Sequence, residues 1–190
     1  NNKIIMKEFN EGSNLPNLVA MAGFSDNSFC GTFKRIHDNL EKISKKFKAI
    51  YVFQFDQDIW KKLQKDACKI SGDIIANNPS ALENIPETYK SEIDLNEELG
   101  KLVDKFIRAA GLTKVHLLGK CAGGGVAIHT ITKSPDTYEA LYLGVPASPT
   151  GIQHLIDSGI KGKKFIFAWD EADAFSFTWD KKSFEERDRY

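Results

Sequence analysis

No apolar run in this 190-residue chain approaches the roughly 20 residues that a bilayer-spanning helix needs. The opening Asn1-Asn2-Lys3 has neither the charged nor the apolar region of a secretory signal, and the missing initiator Met leaves room for a segment upstream. Cysteine is scarce. Cys30, Cys68 and Cys121 are an odd set without Cys-x-x-Cys spacing, which argues against a disulfide framework and against a zinc site, and a reducing, cytoplasmic setting is expected. Neither sign of charge is in excess: 26 Lys and Arg balance 26 Asp and Glu, and the basic residues are scattered. A phosphate backbone has no electrostatic footprint to meet here, so nucleic acid is not an expected partner. Internal repeats and low-complexity tracts are absent as well. With 42% hydrophobic residues, the chain suffices for one sizeable core and is short for two, so residues 1–190 are read as a single domain.

Apolar residues that are present recur in two alternating patterns. Short runs at Ile4 to Phe9, Leu18 to Ala22, Ala49 to Phe53, Val115 to Leu118, Ala140 to Leu143 and Lys164 to Ala168 read as strands. Between them lie helical stripes: Phe33 to Phe47, Ile59 to Ile70, Leu95 to Ile107, Val126 to Thr132 and Ile152 to Ile156. Residues 76–92 are polar and read as a loop, with Ser91 and Asp94 marking the start of the third helix. Strands apolar on both faces, taken in turn with helices, predict a three-layer α/β sandwich around a mostly parallel sheet.

The chemistry concentrates in Gly119-Lys120-Cys121-Ala122-Gly123-Gly124, between a strand and a helix. A dinucleotide fingerprint fails, because Cys121 stands two residues after Gly119 and Ile128 stands five after Gly123. A P-loop fails too, with Gly125 and Val126 in place of Lys and Ser or Thr. The spacing fits a nucleophile elbow, glycine-x-nucleophile-x-glycine, with Cys121 as nucleophile and Gly119 and Gly123 giving passage to a tight turn. Amides at the helix start favour a thiolate and a developing oxyanion; Lys120 either adds positive charge or extends into solvent.

On these residues the chain resembles the α/β-hydrolase superfamily, and its cysteine elbow looks most like the dienelactone hydrolase branch. The resemblance runs from the strand at Leu18 to that ending at Ala168, and the interval from Cys121 to Asp173 leaves no room for a large lid domain. It implies that Ala22-Gly23-Phe24 is the oxyanion loop, the backbone N–H of Phe24 acting with that of Ala122. It also implies that Trp169-Asp170-Glu171-Ala172-Asp173 carries the acid, Asp173 first and Asp170 in reserve. No histidine follows Asp173, so the last strand and the histidine loop are expected beyond Tyr190. Among the histidines present, His116 falls in a buried strand, His129 far along a helix, and His37 on a helix beside its apolar face; His154 is retained as a candidate base. The implied activity is hydrolysis of a carboxylic ester, lactone or thioester, with a small-molecule ester-like substrate and neither cofactor nor metal. The alternative is a catalytically inactive relative used for binding or assembly. Oligomeric state is not legible.

Overall fold

The computed structural model describes residues 2–22, 36–56, 58, 85–144 and 149–168. Six strands form one sheet: β1 (Lys3–Glu8), β2 (Asn17–Met21), β3 (Ala49–Gln54), β4 (Val115–Lys120), β5 (Tyr138–Gly144) and β6 (Lys164–Ala168). Four helices accompany them among the described residues: α1 (Leu40–Ser44), α2 (Ile85–Ala109), α3 (Ala122–Lys133) and α4 (Pro149–Asp157), with a 3-10 turn at Pro135–Thr137. The strand order is β1-β3-β2-β4-β5-β6. Only β1 is antiparallel, and the other neighbours run parallel through crossovers.

Apolar runs make these strands because both faces of the central ones are covered. Val19, Leu117, Leu141 and Leu143 face α2, α3 and α4, which contribute Leu99, Val103, Ile107, Val126, Ile128, Ile131, Ile152 and Leu155 to one core. Leu18, Ala20, Ile50 and Val52 point the other way, onto Leu40, Ile43 and Phe47 at α1. Full burial of each Val, Leu or Ile among them contributes roughly 1.5–3 kcal/mol. The result is a three-layer α/β sandwich around a mostly parallel sheet, and β5 and β6 are joined through one short helix, without room there for a lid domain. Among the described residues no helix is long and apolar enough to cross a membrane.

Two polar devices hold the helices in place. Asn10 donates from Nδ2 to the carbonyls of Ser44 (2.6 Å) and Phe47 (3.0 Å), satisfying the C-terminal end of α1. Asp104, 2% exposed on α2, accepts from the buried Tyr138 hydroxyl at 2.8 Å and from Arg108 Nε at 2.8 Å. That pairing ties α2 to the start of β5, and burial together with the Asp104 carboxylate pushes the Tyr138 phenol well above its ordinary pKa.

Three local expectations change. Helix α2 already includes Ile85 to Ser91, which the polar composition assigns to a loop. Pro86 sits in its first turn, where a proline needs no N–H partner, and Glu87, Lys90 and Glu98 are good helix formers despite their polarity. His37 does not border an apolar face: it is 81% exposed and lies 3.7 Å from Asp38. Strand β6 is covered on one side, since Phe165 and Phe167 pack on the core while Lys164, Ile166 and Ala168 are exposed.

Candidate active site

The parallel strands all present their C-terminal ends to one edge of the sheet, and Cys121 lies there, between β4 and α3. Its backbone has φ +53° and ψ −128°, a sparsely populated conformation for a residue with a side chain. Holding it costs on the order of 1–3 kcal/mol, so the surroundings must impose it. They do so through two bonds: Cys121 N–H donates to the Gly144 carbonyl at 3.0 Å, and its own carbonyl accepts from Gly124 N–H at 2.9 Å. The first ties the elbow to the end of β5, and the second starts α3.

Glycine is required on both sides by contact. A Cβ at Gly119 would lie 2.6 Å from the Gly123 carbonyl oxygen and 2.7 Å from Gly124 Cα. One at Gly123 would press on the Met21 carbonyl, 2.8 Å from its carbon, and come within 2.9 Å of the Ala22 oxygen. Strand, elbow and helix therefore pass at backbone contact distance, and α3 begins at Ala122, directly after Cys121, four residues ahead of the apolar periodicity at Val126. The glycines that blur the helical pattern are the ones that let the helix start so close to β2.

The chemical consequences follow from this placement. Cys121 carries a thiol and is partly exposed. Ala122 is the first residue of a 12-residue helix, so its N–H has no intrahelical acceptor and the positive end of the helix lies at the elbow. The chain leaves β2 at Ala22, against Gly123, which brings the start of the expected oxyanion loop beside the elbow. Phe24 itself lies outside the described residues, as do Asp170 and Asp173 beyond the end of β6. Ala168, Gly144 and Lys120 are aligned across β6, β5 and β4, so the strand preceding the acid segment ends about 10 Å from that preceding Cys121.

None of the histidines in described segments is positioned as the base. His116 contacts the Tyr142 hydroxyl at 3.0 Å and Glu139 at 3.4 Å, and burial lowers its pKa against the pull of Glu139. His129 is 3% exposed in α3, and its Nε2 has no hydrogen-bond partner. His154 stacks on it, ring centroids 4.5 Å apart at 15°, and bonds Thr132 Oγ1 at 3.2 Å. Thr132 is eleven residues past Cys121, roughly 16 Å along the helix axis, so His154 is held away from the elbow by a packing partner the sequence did not reveal. Among the described residues no group of three His, Cys, Asp or Glu side chains could hold a metal ion.

No family model matches the chain, and no curated protein sequence matches it. Solved structures are similar in fold. A hydrolase from Oleispira antarctica is 16% identical, with 75% of this chain and 41% of that one covered and a TM-score of 0.40. An esterase from Exiguobacterium antarcticum is 16% identical, with 78% and 43% covered and a TM-score of 0.43. A protein described as a predicted CIB-like hydrolase from Thermoplasma acidophilum is 11% identical, with 98% and 90% covered and a TM-score of 0.47. The chain spans about half or less of the first two, and at these identities the likeness is one of fold.

Proposed function

We propose that this protein hydrolyses a carboxylic ester, lactone or thioester with Cys121 as nucleophile. The observation that carries the reading is the cysteine held at φ +53° between β4 and α3 by two glycines with no room for a side chain. A strained turn that presents a thiol beside helix amides is the arrangement acyl transfer needs.

In this reading Cys121 Sγ attacks the carbonyl carbon, and the Ala122 and Phe24 amides receive the negative charge that develops on oxygen. The C–O or C–S bond to the leaving group breaks as the thiol's proton passes to that group. Water then releases the acid and restores the thiol. Asp173 takes the acid role, orienting the base that carries the proton both ways. The substrate is a small ester-like molecule, and the chemistry asks for no cofactor.

A second reading, a fold retained for binding without turnover, is favoured by one observation: His129 and His154 are locked together at α3 and α4, remote from Cys121. An activated aryl ester separates the two. Turnover abolished both by iodoacetamide and by Cys121→Ala is the expected result; no turnover, with Cys121 alkylated only at the rate of an ordinary thiol, would overturn the catalytic reading.

A further inference from the structure

Strands β4 and β5 bring a carboxylate, an imidazole and a phenol into line, apart from the elbow. His116 Nδ1 lies 3.0 Å from the Tyr142 hydroxyl, and its Nε2 lies 3.4 Å from Glu139 Oε2. The ladder is irregular here: Val115 pairs with Tyr138 and His116 with Ala140, so Glu139 is one residue more than the pairing uses. A bulge of this kind is uncommon between parallel strands and turns a side chain aside, and Glu139 is half exposed yet within reach of the ring. His116 stands five residues before Cys121, roughly 16 Å along the strand direction.

The partners fix where the protons sit. A carboxylate only accepts, so Nε2 carries the ring hydrogen and donates to Glu139; Nδ1 then keeps its lone pair and accepts from the Tyr142 O–H. Burial lowers the His116 pKa from 6.5 against the pull of Glu139, and Lys164 from β6 acts with burial, so the ring is neutral at pH 7. Its other described neighbours, Phe47 edge-on at 5.5 Å beyond α1 and Leu18 in register on β2, carry no charge. Burial also raises the Tyr142 pKa, so this phenol keeps its proton at neutral pH and becomes a nucleophile only when a base takes it. Tyr142 is partly exposed, and Ile166, in register with it on β6 and 40% exposed, puts apolar surface beside it.

We infer that Tyr142, with His116 as its base and Glu139 orienting the imidazole, is an activated phenol that accepts an acyl group from a small activated ester. The order phenol, imidazole, carboxylate is that of a nucleophile triad with tyrosine in the place of serine. The Tyr142 oxygen attacks the carbonyl carbon, its proton passes to His116 Nδ1, and Glu139 faces the imidazolium that forms. The bond to the leaving group then breaks, the leaving oxygen takes the proton from Nδ1, and an O-acyl tyrosine remains. None of these steps involves Cys121.

Acetylation by 4-nitrophenyl acetate tests the inference in Cys121→Ala protein, where the elbow thiol takes no reagent. Mass spectrometry follows the acetyl group on Tyr142, with the buried Tyr138 on the same strand and free N-acetyltyrosinamide as references. The rate at pH 7 is expected to exceed that of the free phenol by about a hundredfold or more, the lower end of what a positioned base supplies. It should be level between about pH 7 and 8.5 and fall only below pH 6.5, as His116 gains a proton, whereas an unassisted phenol quickens roughly tenfold per unit towards pH 10. His116→Gln should lose the advantage and regain that slope. Glu139→Gln should slow labelling roughly three- to tenfold and move the acid limb to lower pH, because the carboxylate that favours the imidazolium is gone. A Tyr142 rate no higher than that of the free phenol, or one with the tenfold slope, would overturn the inference, and this holds even where a variant fails to fold. A Glu139→Gln profile superimposable on its parent's would overturn it as well.

Discussion

His129 makes the fold acid-sensitive by an amount that the structure lets us work out. The ring is buried between α2, α3 and α4, its Nε2 is unpartnered, and Gly100 of α2 leaves only enough space for the His129 backbone: a Cβ there would lie 2.9 Å from His129 atoms. Burial first, and then the neighbouring His154, lowers its pKa from 6.5 to about 4; Lys133 acts in the same direction and Glu97 against it. The folded protein therefore refuses a proton that the unfolded chain accepts below pH 6.5. Stability from this group is complete above that value, declines as pH falls through the window from 6.5 to about 4, and then levels off. At roughly 1.4 kcal/mol per pH unit, the whole window amounts to about 3 kcal/mol. Urea denaturation of the wild type and of His129→Leu, each also in a His154→Leu background, at intervals between pH 4 and 8 isolates the effect, because groups remote from His129 cancel in the difference and the His154 background removes the stacked partner. The gap between the two stability curves should change by about 2–3 kcal/mol across the window in favour of the variant at low pH. Parallel curves would refute the claim that His129 is held neutral by burial.

Three further outcomes follow from contacts described above. Cys121→Gly removes the strain at φ +53° and should raise stability by about 1 kcal/mol in thermal unfolding, while abolishing Cys121 chemistry; a loss of stability would show that the thiol's packing outweighs the strain. Gly123→Ala drives a Cβ into the Met21 carbonyl and should cost at least about 2 kcal/mol in denaturant titration, together with most of any ester turnover. Asp104→Ala leaves the buried Tyr138 hydroxyl and Arg108 without their acceptor and should cost about 3 kcal/mol, with partial recovery in the double variant Asp104→Ala, Tyr138→Phe.

The strands and the tight turn between β4 and α3 are legible for physical reasons. A parallel strand covered on both sides must be a short apolar run, as at Leu18 to Met21, and a turn at backbone contact distance must use glycine, as at Gly119 and Gly123. The cysteine's unusual backbone is the structural image of that spacing. What stayed hidden depends on long-range partners. Nothing local announces that Asp104 meets Tyr138, or that His154 stacks on His129, because each pair joins separate helices or strands. The first turns of α2 are hidden for a different reason: polar helix formers behind a proline look like a loop unless the packing of the rest of the helix is known. Phe24 and Asp173 are implied by the resemblance alone and lie outside the described residues.

The crossover order sets the timetable on which the chain can fold. Strand β2 lies between β3 and β4, and Asn17 at its start donates to the carbonyl of Thr113, 96 residues away in sequence. At a synthesis rate of roughly 5–20 residues per second, β2 waits about 5–20 s for that neighbour to emerge. During this interval β2 can pair with β3 alone, which leaves one edge of a strand that is buried throughout in the native fold unpaired. Closing so long a loop makes the central pairing a late, slow step, and the nascent chain is most exposed to aggregation before β4 arrives.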